Sequence, residues 1–207
     1  GFTTNPTLMR KAGIENYESF ARGILEVISD RPISFEVFAD EFEEMERQAL
    51  KIAEWGDNVY VKVPITNTLQ QSASGLIQRL SSQGVRLNIT AILALDQVRE
   101  GATAVQNGPA SIVSVFAGRI ADTGVDPIPV MKDALAILQS APTAELLWAS
   151  PREVLNIYQA DAIGCDIITA TNDLLRKLTL AGKDLAEYSL ETVRMFYNDA
   201  QKAGYEL

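Results

Sequence analysis

One lysine, Lys62, interrupts an otherwise apolar run, YVKVPIT over residues 60–66. In an extended chain Val59, Val61 and Val63 share one face, and Tyr60 and Lys62 share the other. If that second face is solvent, the segment is an ordinary half-exposed strand. If it is a closed interior, lost hydration favours the neutral amine, a nucleophile for carbonyl carbon. Polar residues recur in the same way elsewhere: Ser34 and Glu36 in ISFEVFA, Asn88 and Thr90 in RLNITA, Ser114 in SIVSVF, and Ser150 at the end of ELLWAS. Their alternates, Phe35, Val37, Leu87, Ile89, Val113 and Val115, are apolar. Burying a polar group without a partner costs roughly 2–7 kcal/mol on apolar-transfer scales. Ser114 alone reads equally well as a satisfied core hydroxyl. Taken together, these side chains are expected to converge on one polar ligand. Two arginines follow strand ends, Arg119 in FAGRIAD and Arg152 in ASPRE. Singly each is a solvated loop residue; as a pair beside Ser150 they would clamp an anion, because guanidinium geometry matches phosphate. A helix expected to begin near Pro151 would add its dipole.

Composition narrows the chemistry. The 207 residues include no histidine and one cysteine, Cys165. That removes the commonest zinc ligand and general base, argues against a metal site and Ser-His-Asp chemistry, and excludes an intrachain disulfide. Cys165 reads as a small core residue. Eighteen basic against twenty-seven acidic residues give a net charge of −9 without a Lys/Arg cluster, which argues against nucleic-acid binding. No apolar run approaches the ~20 residues of a membrane span and no signal pattern opens the chain, so a cytoplasmic setting is expected.

The elements that must position these residues alternate. Helical spacing covers 16–28, 41–55, 68–84, 94–108, 126–140, 151–164, 171–182 and 190–204; strand-like runs cover 33–39, 58–65, 85–92, 111–118, 145–150 and 165–170. Gly84 is suited to a helix C-cap. Six strand–helix units follow GFTTNPTL, which could be the end of a further strand. This alternation predicts a parallel sheet covered by helices, in one domain over 1–207 with a terminal helix at about 190–204. Two closures are open, a doubly wound sheet or a (β/α)8 barrel; GxGxxG and GxxxxGK[ST] are absent, and the barrel requires one more strand, expected upstream of Gly1.

In order along the chain, GFTTNP (1–6), SFEV (34–37), VKVPIT (61–66), LNITAI (87–92), SVFAGRI (114–120) and WASPR (148–152) resemble the transaldolase family, in particular its compact members and the related fructose-6-phosphate aldolases. Each fragment alone is weak, but their order and spacing together are specific. The resemblance implies a (β/α)8 barrel and cofactor-free Schiff-base catalysis, with Lys62 attacking the C2 carbonyl of a ketose phosphate. The imine would act as an electron sink while C3–C4 breaks, leaving a dihydroxyacetone unit on the lysine. By position in the motifs, Asn5, Asn88 and Ser114 would hold its hydroxyls. Glu36 and Thr90 would position a water for proton transfer, and Arg119, Ser150 and Arg152 would bind the substrate phosphate.

Glu36 and Phe116 are of the transaldolase type where the aldolase branch typically carries Gln and Tyr, which favours transfer over release. The family's acid/base aspartate would lie before Gly1; Asp40 and Asp122 fall elsewhere in the pattern. The alternatives are an aldolase releasing dihydroxyacetone and a non-catalytic sugar-phosphate-binding barrel. The terminal helix, with Met195, Phe196 and Tyr197 adjacent, would either cover the barrel bottom or, as the resemblance implies, reach a neighbour in a ring-shaped homo-oligomer.

Overall fold

The computed structural model describes residues 1–206. Seven parallel strands pair in chain order: β1 (Phe2–Thr3), β2 (Ile33–Glu36), β3 (Val59–Pro64), β4 (Leu87–Ile92), β5 (Ser111–Val115), β6 (Ala144–Trp148) and β7 (Ile167–Ile168). The intervening helices are α1 (Pro6–Lys11), α2 (Tyr17–Val27), α3 (Phe42–Ala53), α4 (Ser74–Ser82), α5 (Leu95–Val105), α6 (Ala117–Asp122), α7 (Pro127–Leu138) and α8 (Leu155–Ala162). Parallel neighbours need a crossover, and these helices supply the six of them, two helices each between β1 and β2 and between β5 and β6. This is the α/β architecture of a (β/α)8 barrel. Among the described residues β1 bonds only β2 and β7 only β6, so the sheet is not closed.

Two side-chain populations follow from strand alternation. Phe35, Val61, Val63, Leu87, Ile89, Val113, Val115, Leu146 and Trp148 join the helices in the main core. Their alternates Tyr60, Ile112 and Leu147 form a separate small apolar cluster with Ala149, on the inner face. The polar residues of the strands share that face: Ser34 pairs with Tyr60 and Asn88 with Ile112, while Lys62 and Ser114 lie two residues further along.

The elements depart from sequence expectation where side chains compete with the helix backbone. The helix expected from residue 68 begins at Ser74, because Asn67 Oδ1 accepts from the amides of Leu69 and Gln71, and Asp40 accepts from both the amide and hydroxyl of Thr68. Gly84 takes the left-handed conformation, φ +85°, and its amide bonds Ser81 O, as expected of a helix stop. Cys165 donates weakly to the carbonyls of Leu146 and Ile167, and burial pushes its thiol up to about 11, the setting of an unreactive packing residue.

The chain divides into two compact units, Gly1–Ala170 and a second from Thr171 onward. The second holds α9 (Asn172–Lys177), a 3-10 turn (Leu178–Leu180) and α10 (Leu185–Ala203). α10 starts five residues before the expected 190, where Asp184 Oδ1 caps the Glu187 amide. No residue of α10 is buried, and Val193, Phe196 and Tyr197 are each more than half exposed.

Candidate active site

Lys62 is 7% exposed and points inward from β3. Its Nζ donates to the carbonyl of Thr4 at 2.9 Å and to Glu36 Oε2 at 3.2 Å. Glu36 sits directly across the ladder, Glu36↔Lys62, and β4 places Asn88 on the other side, Lys62↔Asn88. Three neighbouring strands therefore bring a base, an amine and an amide onto one surface. Asn88 is the hub of the next layer: its Nδ2 donates to Ser34 Oγ at 3.0 Å, and its Oδ1 accepts from Ser114 Oγ at 2.7 Å. These groups are buried but satisfy one another, which offsets the desolvation cost that made them conspicuous in the sequence.

Thr90 lies two residues beyond Asn88 on the same face, paired with Pro64. Immediately after it the β4–β5 register shifts and Ala91 adopts φ +62°. Ser150, beyond the end of β6, is likewise left-handed at φ +59°. Among the described residues three non-glycine residues have positive φ: Ala91 and Ser150 stand at strand C-termini, and Gln70 belongs to the turn before α4. Strain of this kind costs of order 1–3 kcal/mol per residue and persists where surrounding structure enforces it.

The arginines form a second group. Arg119 stacks its guanidinium over Phe116, 5.3 Å from the ring centroid. Arg152 makes a two-point ion pair with Asp122, through Nε to Oδ1 at 3.0 Å and Nη2 to Oδ2. The bond to Arg152 holds the Asp122 carboxyl below the usual carboxylate range, and the charge of Arg119 adds to this, so both cations act on one carboxylate. Ser150 reaches this region by backbone contact: Gly118 N donates to Ala149 O, and a Cβ on Gly118 would fall 1.5 Å from Ser150 O.

Other expected roles need correction or addition. α8 begins at Leu155, not near Pro151, because Asn156 Oδ1 accepts from the amides of Arg152 and Glu153 and folds the segment into a turn. Those amides face Asn156, so the expected dipole at Pro151 is not formed. Asn5 uses its Oδ1 to cap α1 through the Leu8 amide, leaving its amide group to donate. Thr4, Tyr17 and Asn156 were not singled out by sequence reasoning, and Asp122 was set aside there as falling outside the motif pattern. Thr4 acts through a backbone carbonyl, which leaves no trace in residue type, while Asn156 reads as an ordinary polar residue. Among the described residues no group of three or more acidic, cysteine or histidine side chains could hold a metal, and no helix is long and apolar enough to cross a membrane.

A parallel α/β barrel fold that carries a buried lysine paired with a carboxylate beside an amide–hydroxyl network defines the class of protein. Comparison makes the class particular. The family described as transaldolase/fructose-6-phosphate aldolase matches residues 1–207, and the chain belongs to that family. A probable transaldolase of Dehalococcoides mccartyi is 36% identical over 181 residues, covering 86% of this chain and 79% of that protein. A probable transaldolase of Hyphomonas neptunium is 33% identical over 212 residues, covering 100% of this chain and 89% of that protein. Among solved structures, a mandelate oxidase with a monooxide FMN adduct superposes with a TM-score of 0.53 at 17% identity, covering 90% of this chain. The chain spans 61% of that structure's length, and the likeness speaks for the fold alone.

Proposed function

We propose that this chain is a transaldolase that moves a dihydroxyacetone unit from a ketose phosphate, fructose 6-phosphate or sedoheptulose 7-phosphate, to an aldose phosphate through a Schiff base on Lys62, as in the pentose phosphate pathway. The observation that carries this reading is the buried Lys62 amine between the Glu36 carboxylate and the Thr4 carbonyl, in a chain of this family. Glu36 is placed to take a proton from Lys62 Nζ. The freed lone pair attacks the C2 carbonyl, and with Thr90 Glu36 guides the water lost from the carbinolamine. Glu36 returns its proton to that water and, again a carboxylate, takes the C4 hydroxyl proton; the protonated imine withdraws the C3–C4 bonding electrons as that bond breaks, the aldehyde departs, and an enamine stays on Lys62.

Asn88 and Ser114, with the Asn5 amide, hold the hydroxyls of the retained three carbons, and Arg119, Ser150 and Arg152 bind the phosphate. Phe116 offers no hydroxyl as a further proton donor, which favours transfer over aldol release. No cofactor is required. The proposed setting is cytoplasmic, and the exposed apolar side chains of α10 are the proposed contact of a ring-shaped homo-oligomer.

Borohydride trapping with fructose 6-phosphate, followed by peptide mass mapping, tests the reading. A three-carbon adduct on Lys62 is expected, with sugar-phosphate exchange only when an acceptor aldose phosphate is present. Release of dihydroxyacetone without acceptor replaces the transferase by an aldolase, and absence of any Lys62 adduct removes the mechanism for this donor.

The anion site makes a separate prediction. Asp122 occupies Arg152 as a phosphate would, and both partners are half exposed. Asp122→Asn keeps a carbonyl acceptor but removes the competing charge. Inorganic phosphate, assayed as a competitive inhibitor, is expected to bind about 3–10-fold more tightly, with little change in stability for so exposed a pair. Because the folded-state carboxyl titrates below its ordinary value, Asp122 stays ionised at neutral pH. The wild-type pair opens only as pH falls through that lowered value.

A further inference from the structure

We propose that Tyr17 is a positioning residue for Lys62: its hydroxyl ties together Thr4 and Glu36, the two residues whose oxygens hold the lysine amine. The proton count sets the direction of this link. Thr4 Oγ1 donates to Ser34 O at 3.0 Å, which commits its only proton. The 3.3 Å contact between Thr4 Oγ1 and the Tyr17 hydroxyl therefore has Tyr17 as donor. The same phenol oxygen accepts from the Glu36 amide at 2.9 Å.

A one-way chain results, from Glu36 N–H to Tyr17 O–H to Thr4 O–H to the Ser34 carbonyl, in which each hydroxyl accepts once and donates once. Such chains polarise in one sense and fix their members better than isolated bonds do. Both residues that hold Lys62 are members: Thr4 presents its carbonyl, and Glu36 presents its carboxylate from the backbone that Tyr17 secures.

The ring itself has little freedom. Tyr17 is the first residue of α2 and meets Phe35, Phe38 and Trp55 edge to face, with centroids 6.0, 4.5 and 5.9 Å away. Burial raises the phenol above its ordinary value of 10, so it remains a neutral donor and acceptor through the physiological range. It bonds neither Lys62 nor the Ser114–Asn88–Ser34 network, so it acts through Thr4 and Glu36.

The effect on turnover rests on the proposed Schiff-base reading, so the test carries one readout that needs no substrate. Tyr17→Phe removes one oxygen and leaves the ring contacts. In the full chain, kcat with a ketose phosphate is expected to fall about 10-fold while KM stays within about twofold, because positioning is lost and phosphate binding is not. Reductive methylation by formaldehyde and cyanoborohydride, mapped by peptide mass, is expected to reach Lys62 several-fold faster once its partners loosen, with the other lysines unchanged.

Thr4→Val interrupts the same link from its other side and serves if Tyr17→Phe does not fold. The double variant is expected to be no worse than the poorer single one, the non-additivity of a shared interaction. If Tyr17→Phe melts earlier but keeps wild-type kcat and Lys62 methylation, the role is only structural and the assignment falls. It also falls if the two substitutions multiply. If no ketose phosphate is turned over yet Lys62 methylation changes as described, the Tyr17 assignment stands and the Schiff-base reading falls.

Discussion

Lys62→Met is expected to abolish borohydride trapping and to lower sugar-phosphate turnover by about 10⁴-fold or more, because removing a covalent nucleophile eliminates the intermediate rather than weakening it. Methionine nearly preserves the unbranched stem, so the inner face stays filled. What disappears is the amine that donates to Thr4 O and Glu36 Oε2. The Glu36 side chain is 18% exposed, so it is left unpaired but partly hydrated. Breaking a fully buried pair costs about 3–5 kcal/mol; partial hydration reduces this to about 1–2 kcal/mol.

For a chain of this length that corresponds to a fall in melting temperature of about 2–8 °C, measurable by calorimetry. Two companions separate nucleophile from charge. Lys62→Arg keeps a cation beside Glu36 but presents no amine that forms an imine, and is expected to be as inactive as Lys62→Met while remaining more stable. Adding Glu36→Gln to Lys62→Met removes the stranded carboxylate and is expected to recover part of the lost stability with no activity. Turnover surviving in Lys62→Met would end the Schiff-base account.

Gly118→Ala is the second large effect. The added Cβ would lie 1.5 Å from Ser150 O and 2.5 Å from Ser150 C. Both are backbone atoms, so no rotamer change relieves the overlap. Ser150 is already left-handed, and its loop is tied to Gly118 by the bond from Gly118 N to Ala149 O. The strand end must move, taking with it Ser150, Arg152 and the start of α6 that carries Arg119. Overpacking of this kind costs about 1–3 kcal/mol and sometimes more.

A displacement of about 1 Å at a substrate-positioning group lowers activity roughly 100-fold. The expected signature is selective: kcat/KM for phosphorylated donors falls by about that factor, while unphosphorylated dihydroxyacetone is still trapped on Lys62. Denaturant unfolding measures the stability loss. Gly23→Ala is the control, since a Cβ there meets nothing within 4 Å and the site is helical. It is expected to be stabilising by about 0.5–1 kcal/mol. Equal losses for phosphorylated and unphosphorylated donors in Gly118→Ala would mean that Ser150 and the arginines do not form the phosphate site.

Much of this site was legible because strands repeat every two residues. Ser34 and Glu36, Lys62, Asn88 and Thr90, and Ser114 fall on one face of their strands whatever the fold, and hydrophobic alternates require the other face to be covered. The parallel sheet followed from the same alternation together with helical spacing between runs. Element boundaries were less legible where a polar side chain competes with backbone bonding. Asn67 and Asp40 delay α4, and Asn156 delays α8, each by accepting amides that a longer helix would have used. Residue type alone does not say which amide such a side chain will reach.

By itself, then, the amino-acid order determined which side chains share a face, that those faces are polar inside an apolar sheet, and that an amine stands among them. Covalent geometry enforces this, since successive Cβ atoms in extended chain must point to opposite sides. The tertiary structure alone decided what surrounds the amine. Thr4 lies 58 residues from Lys62 and contributes a carbonyl, a group every residue carries. Tyr17 reaches across 19 residues to the Glu36 amide, and Arg152 across 30 to Asp122. Such partners are chosen by strand register and loop path, which arise from packing the whole chain at once.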